Sequence, residues 1–206
     1  MTRTVGTDAA GLDAAARLVA RGGVLLYPTE TVYGLGGDAT HPDVLARVRA
    51  LKGRDADKPM LALTDDWARV QAWLADVPPA LARLMAHEPP LAVTFLLPPS
   101  EGAPAGLVGP GGLIGLRRTS DPFCRALVAR AGCVLLSTSA NPAGAPPPAR
   151  FADVYAGLLE GVDLAVDAGA PLRGTPSTVV RADGAALVIV REGAVSAEAL
   201  REIAAG

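Results

Sequence analysis

The chain has 206 residues, enough for one substantial domain and marginal for two. Half of the residues are hydrophobic and 19% are charged, a composition that excludes disordered and fibrous proteins. Nineteen basic and twenty-one acidic side chains give a net charge of −2, which argues against a protein that holds long nucleic acids tightly by their phosphates.

Apolar periodicity and turn residues predict helices that alternate with strands over most of the chain. The predicted helices are Ala9–Arg21, Asp43–Lys52, Asp66–Leu74, Pro79–Ala86, Asp121–Ala131, Ala149–Leu159 and a short last helix capped by Ser196. The predicted strands are Val24–Tyr27, Met60–Leu63, Leu91–Leu97, Leu113–Arg117 and Cys133–Leu136, followed by a hairpin of Ser177–Arg181 and Ala186–Val190. This order predicts a single α/β domain with a mixed β-sheet.

Cysteine and histidine residues are too few and too scattered to indicate a metal centre. Cys124 and Cys133 stand apart from any Cys-x-x-Cys or Cys/His cluster, so we expect two reduced thiols and no disulfide framework. His41 and His87 are the only histidines. The N-terminus lacks the apolar core of a signal peptide, and no apolar run approaches the roughly 18–20 residues that span a membrane. We therefore expect a soluble, cytoplasmic protein.

Four segments concentrate side chains that can bind a ligand, although the sequence has neither a P-loop nor a Gly-x-Gly-x-x-Gly motif. The first segment spans residues 27–38, where a strand end is followed by hydroxyl groups, the carboxylate of Glu30 and three glycines. Ligands bind at strand ends in α/β sheets, and glycines let a ligand approach the backbone. A tight turn would give the same pattern, so both interpretations stay open.

The second segment carries Lys52, Arg54 and Lys58 within seven residues, where a predicted helix ends at Gly53. Three cations in a loop can hold a triphosphate and stabilise the charge that builds on a departing pyrophosphate. An isolated run of charge is more often a solvated surface, so the segment does not decide the function by itself.

The remaining segments are polar as well. Residues 137–144 follow a predicted buried strand, and their short side chains can bond phosphate or ribose oxygens or satisfy their own backbone. Residues 175–180 and 190–193 form the fourth segment. Arg117 adds a cation of the kind that clamps a carboxylate, but a lone arginine at a strand end is more often structural. Arg118 adjoins it, and strand phase decides which of the two faces a cavity.

Taken together and in this order, the segments resemble the YrdC/Sua5 family of threonylcarbamoyl-AMP synthases over about residues 12–195. The most specific matches are Pro28–Leu35, Lys52-x-Arg54 with Lys58, Ser139-x-Asn141, Pro176–Val180 and Arg191–Gly193. The resemblance implies a twisted mixed sheet flanked by helices around a concave, positively lined cavity. It also implies the short form of the family, one domain over residues 1–206 without the second C-terminal domain of the longer Sua5 type.

The resemblance further implies a nucleotidyltransferase that converts ATP, L-threonine and bicarbonate or CO2 into threonylcarbamoyl-AMP and pyrophosphate, for the N6-threonylcarbamoyladenosine modification of tRNA. ATP is expected as its Mg2+ complex, with no tightly bound cofactor and no metal ligands from the protein. The implied partners are the proteins that transfer the threonylcarbamoyl group to tRNA. A weak contact with RNA is allowed, and none with a membrane is expected.

The matched motifs also assign the site residues. By the resemblance, Lys52 and Arg54 are catalytic. ATP is bound by Lys52, Arg54, Lys58, Ser139, Asn141 and Arg191, and L-threonine by Thr31, Arg117, Ser137 and Ser177. Glu30 is a candidate general base only because it lies beside these residues in the sequence.

Two stretches depart from the family's pattern. Residues 87–94 replace a Trp-Pro-Gly-Pro-Leu-Thr-like segment, and residues 60–63 are apolar where some longer members have a histidine. Two rival interpretations stay open: a relative that handles another carbamoyl-adenylate, as in hydrogenase maturation, and a non-catalytic RNA-binding protein. The lack of zinc-binding cysteine clusters argues against the first, and the balanced charge argues against the second.

Overall fold

The computed structural model describes residues 2–53 and 60–205. Within these ranges the strands are β1 (Thr4–Val5), β2 (Leu25–Tyr27), β3 (Gly34–Asp38), β4 (Leu61–Thr64), β5 (Val93–Leu97), β6 (Ile114–Arg118), β7 (Leu135–Ser139), β8 (Leu164–Val166), β9 (Thr178–Asp183) and β10 (Ala186–Arg191). The α-helices are α1 (Ala9–Val19), α2 (Pro42–Lys52), α3 (Pro79–Ala86), α4 (Pro122–Ala131), α5 (Ala156–Gly161) and α6 (Ala197–Ala205). Short 3-10 helices cover Trp67–Trp73, Ala105–Leu107 and Phe151–Asp153.

These strands form one sheet in the order β1-β8-β2-β3-β7-β4-β6-β5-β9-β10. The pairs β1–β8, β2–β8, β4–β6 and β5–β9 are parallel, and the remaining neighbours are antiparallel. The predicted fold class, an α/β domain with a mixed sheet flanked by helices, is therefore confirmed.

Several helices begin and end where their capping residues require. The carboxylate of Asp8 accepts a hydrogen bond from Gly11 N at 2.8 Å, which fixes the start of α1. Asp121 caps α4 in the same way through Cys124 N, also at 2.8 Å. Helix α2 ends at Gly53, whose φ of 55° is a left-handed conformation that costs glycine little. These three residues therefore fix the starts of α1 and α4 and the end of α2.

Alternation along the strands divides the core into one apolar cluster on each face of the sheet. Leu26 and Leu136 belong to one cluster, whereas Leu25 and Leu135 belong to the other, which packs beneath α1 and α4. Ser137 shares the face of Leu135 because successive side chains in a strand point to opposite sides. Ser137, in the polar C-terminal part of β7, therefore lies on the face of the sheet that α1 and α4 cover.

Most predicted elements are confirmed to within about two residues, but one predicted helix is of the 3-10 type and another is broken. Residues 67–73 form a 3-10 helix instead of an α-helix. The predicted helix over residues 149–159 is broken, because Val154 and Tyr155 adopt extended conformations between the 3-10 turn and α5. Val154 is buried in the core, so its packing overrides the local helical periodicity.

The strand predictions failed in two places that matter for the site. Strand β7 begins later than predicted and includes Ser137–Ser139, which the sequence pattern assigned to a loop. Strands β1, β3 and β8 were not predicted. Three glycines weaken the strand signal of β3, yet its backbone needs them, since a Cβ on Gly36 would lie 1.7 Å from the carbonyl oxygen of Leu136.

The two cysteines are free thiols, as the sequence predicted. Burial raises the pKa of Cys133 to about 12, and the neighbouring charge of Asp38 adds to the effect. In the described ranges, none of the helices combines the length and the apolar character that a bilayer crossing requires.

Replacing Gly36 by alanine should lower the free energy of unfolding by about 3 kcal/mol, because the new methyl group would separate β3 from β7. Urea unfolding followed by circular dichroism measures the change. Gly6→Ala is the matched control, since a Cβ there meets nothing within 4 Å. Equal midpoints for the two variants would show that β3 and β7 can move apart at little cost.

Candidate functional site

A cavity of about 350 Å³ opens at one edge of the central sheet. Strands β2 and β7 run in the same direction on either side of β3, so their C-terminal ends meet at this edge. Among the predicted site residues, the cavity is lined by Thr31, Arg117, Ser137, Ser139, Asn141, Ser177 and Arg191. Lys52 lies behind it, while Arg54 and Lys58 lie outside the described residues. The structure thus brings together residues from four separate segments.

The end of β2 supplies a chain of hydroxyl groups. Thr29 donates a hydrogen bond to the carbonyl of Val32 at 2.7 Å, and its oxygen lies 2.9 Å from that of Thr31. Because the proton of Thr29 is already used, Thr31 donates to Thr29. Arg117 in turn donates from Nη1 to Thr31 at 3.2 Å. Thr31 is therefore held by both neighbours with its side chain at the cavity wall.

A largely shielded carboxylate, that of Glu30, accompanies Arg117. The Nε of Arg117 lies 3.4 Å from Oε1 of Glu30, and Thr119 donates to Oε2 of Glu30 at 2.7 Å. The Arg117 side chain is only 5% exposed, so an unpaired charge here would be costly. Glu30 lowers that cost and orients the guanidinium toward Thr31.

The structure settles which of the two adjacent arginines faces the cavity. Arg117 lines it, whereas Arg118 points away and donates to the carbonyl of His87 at 2.7 Å. Arg118 also forms an ion pair of 2.6 Å with Glu88. Strand alternation is the reason, since neighbours in β6 must point to opposite faces.

Arg191 brings a second guanidinium group from the end of β10. Its Nη2 donates to the carbonyl of Ser177 at 2.8 Å, and the Ser177 hydroxyl lies 2.8 Å from that of Thr94. Burial, and then the like charge of Arg117, lower the pKa of Arg191 from its ordinary value. Within residues 2–53 and 60–205, no carboxylate forms an ion pair with Arg191. An anion in the cavity would relieve this excess of positive charge.

Lys52 is buried, and its ammonium group contacts the segment that follows β7. It donates to the carbonyl oxygen of Ser139 at 2.5 Å and to the carbonyl oxygen of Asn141. The side-chain oxygen of Asn141 lies 3.3 Å away. These contacts place Lys52 beneath the cavity wall, where it fixes the end of β7 and the following loop, which carry the predicted nucleotide-binding residues Ser139 and Asn141.

The loop after β7 is also tied to β3. Ala140 N donates to the carbonyl of Tyr33 at 2.8 Å, and Tyr33 N donates to the carbonyl of Pro148 at 3.0 Å. Within the loop, the Asn141 amide donates to the carbonyl of Ala145 at 2.5 Å. The loop therefore has a fixed conformation over the start of β3.

Sequence reasoning missed several polar residues that support the site. Thr94 and Thr119 hold Ser177 and Glu30, but each lies far from its partner in the chain. Tyr33 lines the cavity and donates from its hydroxyl group to Asp167 at 3.2 Å. Single threonines and tyrosines give no pattern in a sequence, so only the strand pairing could identify them.

Cys124 and Tyr27, which lie beneath the cavity, both keep their protons and donate hydrogen bonds. Burial raises the pKa of the Cys124 thiol, and its proton is directed to the carbonyl of Pro28 at 3.1 Å. Burial likewise raises the pKa of Tyr27, which donates to the carbonyl of Leu136. The cavity thus offers hydroxyl groups, amides and two guanidinium groups, a set that binds and orients anionic oxygens.

Comparisons with known proteins agree with this description. The Sua5/YciO/YrdC family model, described as "Telomere recombination", matches residues 17–193. A threonylcarbamoyl-AMP synthase from Thiobacillus denitrificans is 36% identical over 160 residues, which are 78% of this chain and 85% of that protein. A threonylcarbamoyl-AMP synthase from Chromohalobacter salexigens is 38% identical over 159 residues, covering 77% and 85%.

Solved structures share the fold. A variant of Sua5 from P. abyssi superposes with a TM-score of 0.91 at 25% identity over 98% of this chain, which spans 60% of the Sua5 chain. The same protein complexed with L-threonine gives a TM-score of 0.89 at 24% identity. These structures contain the same mixed sheet.

Replacing Lys52 by methionine should lower the free energy of unfolding by about 2 kcal/mol, because buried carbonyl groups of the loop lose their charged donor. Urea unfolding and hydrogen exchange of residues 139–145 measure the effect. Arg125→Met, which removes an exposed cation from α4, is the control and should change stability by less than about 0.5 kcal/mol. Wild-type stability and protection in the Lys52 variant would contradict this role.

Proposed function

We propose that this chain, which belongs to the Sua5/YciO/YrdC family, is a threonylcarbamoyl-AMP synthase. It uses ATP, L-threonine and bicarbonate or CO2, and it releases pyrophosphate. The product is the activated intermediate for N6-threonylcarbamoyladenosine in tRNA. The observation that carries the proposal is the meeting of hydroxyl, amide and guanidinium groups from Arg117 and from three of the four motif segments around one cavity.

The reaction forms two bonds. The threonine nitrogen adds to the carbon of CO2, or to bicarbonate with loss of water, and gives a carbamate. A carbamate oxygen then attacks the α-phosphorus of ATP, and the bond to the bridging oxygen of pyrophosphate breaks. Neither step needs a covalent enzyme intermediate. Catalysis therefore rests on positioning the two substrates and stabilising the charge of the departing pyrophosphate.

Threonine recognition is assigned to the part of the cavity around β2 and β6. The Arg117 guanidinium suits the substrate carboxylate, and the hydroxyl groups of Thr31 and Ser177 with the backbone of Ser137 suit its polar groups. Glu30 is engaged by Arg117 and Thr119, so we assign it to positioning Arg117 instead of to proton transfer. Although the charge of Arg117 is paired with Glu30, its guanidinium keeps directed hydrogen-bond donors. These donors favour one orientation of the substrate carboxylate.

Nucleotide binding is assigned to the loop after β7 and to Arg191. Ser139 and Asn141 present polar groups at the cavity wall, and Lys52 holds that loop in place. Arg191 supplies positive charge that no described carboxylate neutralises. The motif alone predicts the catalytic roles of Lys52 and Arg54 and the role of Lys58 as a phosphate ligand. Mg2+ enters with ATP as part of the substrate.

The chemistry of the product indicates the kind of protein that must act after this one. The mixed anhydride between a carbamate and a phosphate is labile, so a protein that transfers the threonylcarbamoyl group to adenosine in tRNA must use it quickly. We also propose that any contact of the cavity with RNA is weak, because the chain carries a net charge of −2.

The purified chain should release pyrophosphate from ATP only when L-threonine and bicarbonate are both present. A coupled pyrophosphate assay measures the rate, and mass spectrometry identifies threonylcarbamoyl-AMP. Serine and valine, in place of threonine, test the amino-acid specificity. Release that ignores threonine would favour a relative acting on another carbamoyl group, and no release at all would contradict the proposal.

Arg117→Gln should raise the KM for threonine at least about tenfold, because one charged donor to the carboxylate is lost. The KM for ATP should change much less. Arg118→Gln is the matched control, since its guanidinium binds His87 and Glu88 outside the cavity, and its kinetic constants should stay within about twofold of wild type. A larger effect in the Arg118 variant, at equal stability, would reverse the assignment.

A further inference from the structure

Thr94, in β5, is a buried polar residue for which the proposed function gives no role. Val93 and Phe95, its neighbours in the strand, belong to the same apolar cluster as Leu136. Because successive side chains in a strand point to opposite faces, the Thr94 side chain lies on the other face of the sheet. That face is the one that α1 and α4 cover, and it also carries Ser137.

Strand register places Arg117 beside Thr94. Phe95 of β5 pairs with Leu116 of β6 in an antiparallel register, and both side chains belong to one apolar cluster. Thr94 precedes Phe95 and Arg117 follows Leu116, so these two residues come next to each other on the opposite face. The Thr94 hydroxyl group therefore lies on the side of the sheet from which Arg117 reaches the cavity.

The backbone around Ser177 is held by the turn that follows β10. Arg191 donates from Nη2 to the carbonyl oxygen of Ser177 at 2.8 Å, and Ala194 N donates to the carbonyl oxygen of Pro176 at 2.8 Å. The turn packs closely here, since a Cβ on Gly193 would lie 2.3 Å from the carbonyl oxygen of Pro176. With the backbone fixed, the direction of the Ser177 hydroxyl proton is set by the hydrogen bonds of its side chain.

The hydrogen bond between the hydroxyl groups of Thr94 and Ser177, 2.8 Å long, has a defined direction. Thr94 is only 3% exposed, and among the described residues its hydroxyl group has no hydrogen-bond partner other than Ser177. A buried hydroxyl proton without an acceptor is costly, so Thr94 donates and Ser177 accepts. The proton of Ser177 must then point elsewhere, and the cavity that Ser177 lines is the direction left to it.

The hydroxyl group of Thr31 has the opposite polarity. Its proton goes to Thr29 and its oxygen accepts from Arg117, so it offers the cavity a lone pair. Arg117 and Ser177 offer donors instead. A carboxylate only accepts hydrogen bonds, whereas amine, carbamate and hydroxyl groups can donate. The carboxylate of an amino acid therefore fits the side of Arg117 and Ser177, and its donor groups fit the side of Thr31.

We propose that Thr94 is a positioning residue for the amino-acid substrate: by donating to Ser177, it directs the Ser177 proton to the substrate carboxylate. One carboxylate oxygen then accepts from Arg117 and the other from Ser177. Thr94 does not line the cavity, so it acts through Ser177 and does not touch the ligand. The inference rests on the proposed function and adds to it a residue that sets the orientation of the amino acid.

Thr94→Val keeps the shape of the side chain and removes its hydroxyl group. Calorimetric titration with L-threonine should show a Kd about fivefold higher than wild type, because the Ser177 proton loses its fixed direction. The KM for L-threonine should rise equally, while the KM for ATP stays within about twofold. Thr94→Ser, which restores the hydroxyl group, should return both values to within about twofold of wild type. The matched control is Thr64→Val, which removes a buried hydroxyl group that donates to the carbonyl of Asp66 outside the cavity and should leave the Kd unchanged.

Two further comparisons test the route and the ligand group. In a Ser177→Ala background, Thr94→Val should raise the Kd by less than about twofold, because the hydroxyl group that it orients is absent. Losses that multiply would contradict action through Ser177. The ligand 2-aminobutyrate keeps the carboxylate and lacks the side-chain hydroxyl group, so Thr94→Val should weaken its binding as much as that of L-threonine. A loss confined to L-threonine would overturn the assignment to the carboxylate.

Failure of this inference is distinct from failure of the proposed function. Threonine-dependent pyrophosphate release by the wild-type chain, together with an unchanged Kd in Thr94→Val, would overturn the role of Thr94 and leave the function intact. Threonine binding without pyrophosphate release would contradict the function, and the ratio of the two Kd values would still decide the role of Thr94. Thermal unfolding of each variant checks that the fold is kept.

Discussion

Backbone pairing between β3 and β7 is the contact on which both the sheet and the cavity depend. The two strands share a register of five residue pairs, from Gly34 with Ser139 to Asp38 with Leu135, in the middle of the sheet. A side chain at Gly36 would collide with the backbone of β7. Because this approach is close, the C-terminal end of β7 reaches the end of β2, and the two polar segments face one cavity.

Positive charge is handled differently on the two sides of that cavity. Arg117 is paired with Glu30 and donates a hydrogen bond to the hydroxyl group of Thr31. This pair can orient a ligand while it adds little net charge to the cavity. Arg191 has no such partner among the described residues, and its lowered pKa reflects the cost of holding positive charge there. A ligand with a carboxylate at one end and phosphates at the other fits this division.

Positive charge is gathered at the cavity wall on a chain whose net charge is −2. Arg117 is buried there and Arg191 is exposed, and hydrogen bonds orient both guanidinium groups. Guanidinium groups held in this way suit a small anion that binds in one geometry.

The sequence by itself determined the fold class, most helix boundaries, the family resemblance and seven of the residues that line the cavity, because apolar periodicity, caps and motifs are local signals. It did not predict β3, or that Ser137–Ser139 lie within a strand, since glycines and serines weaken strand patterns. Only the tertiary structure decided that Arg117 faces the cavity and that Lys52 binds the loop after β7. Strand phase and contacts between distant segments depend on packing, which no local pattern contains.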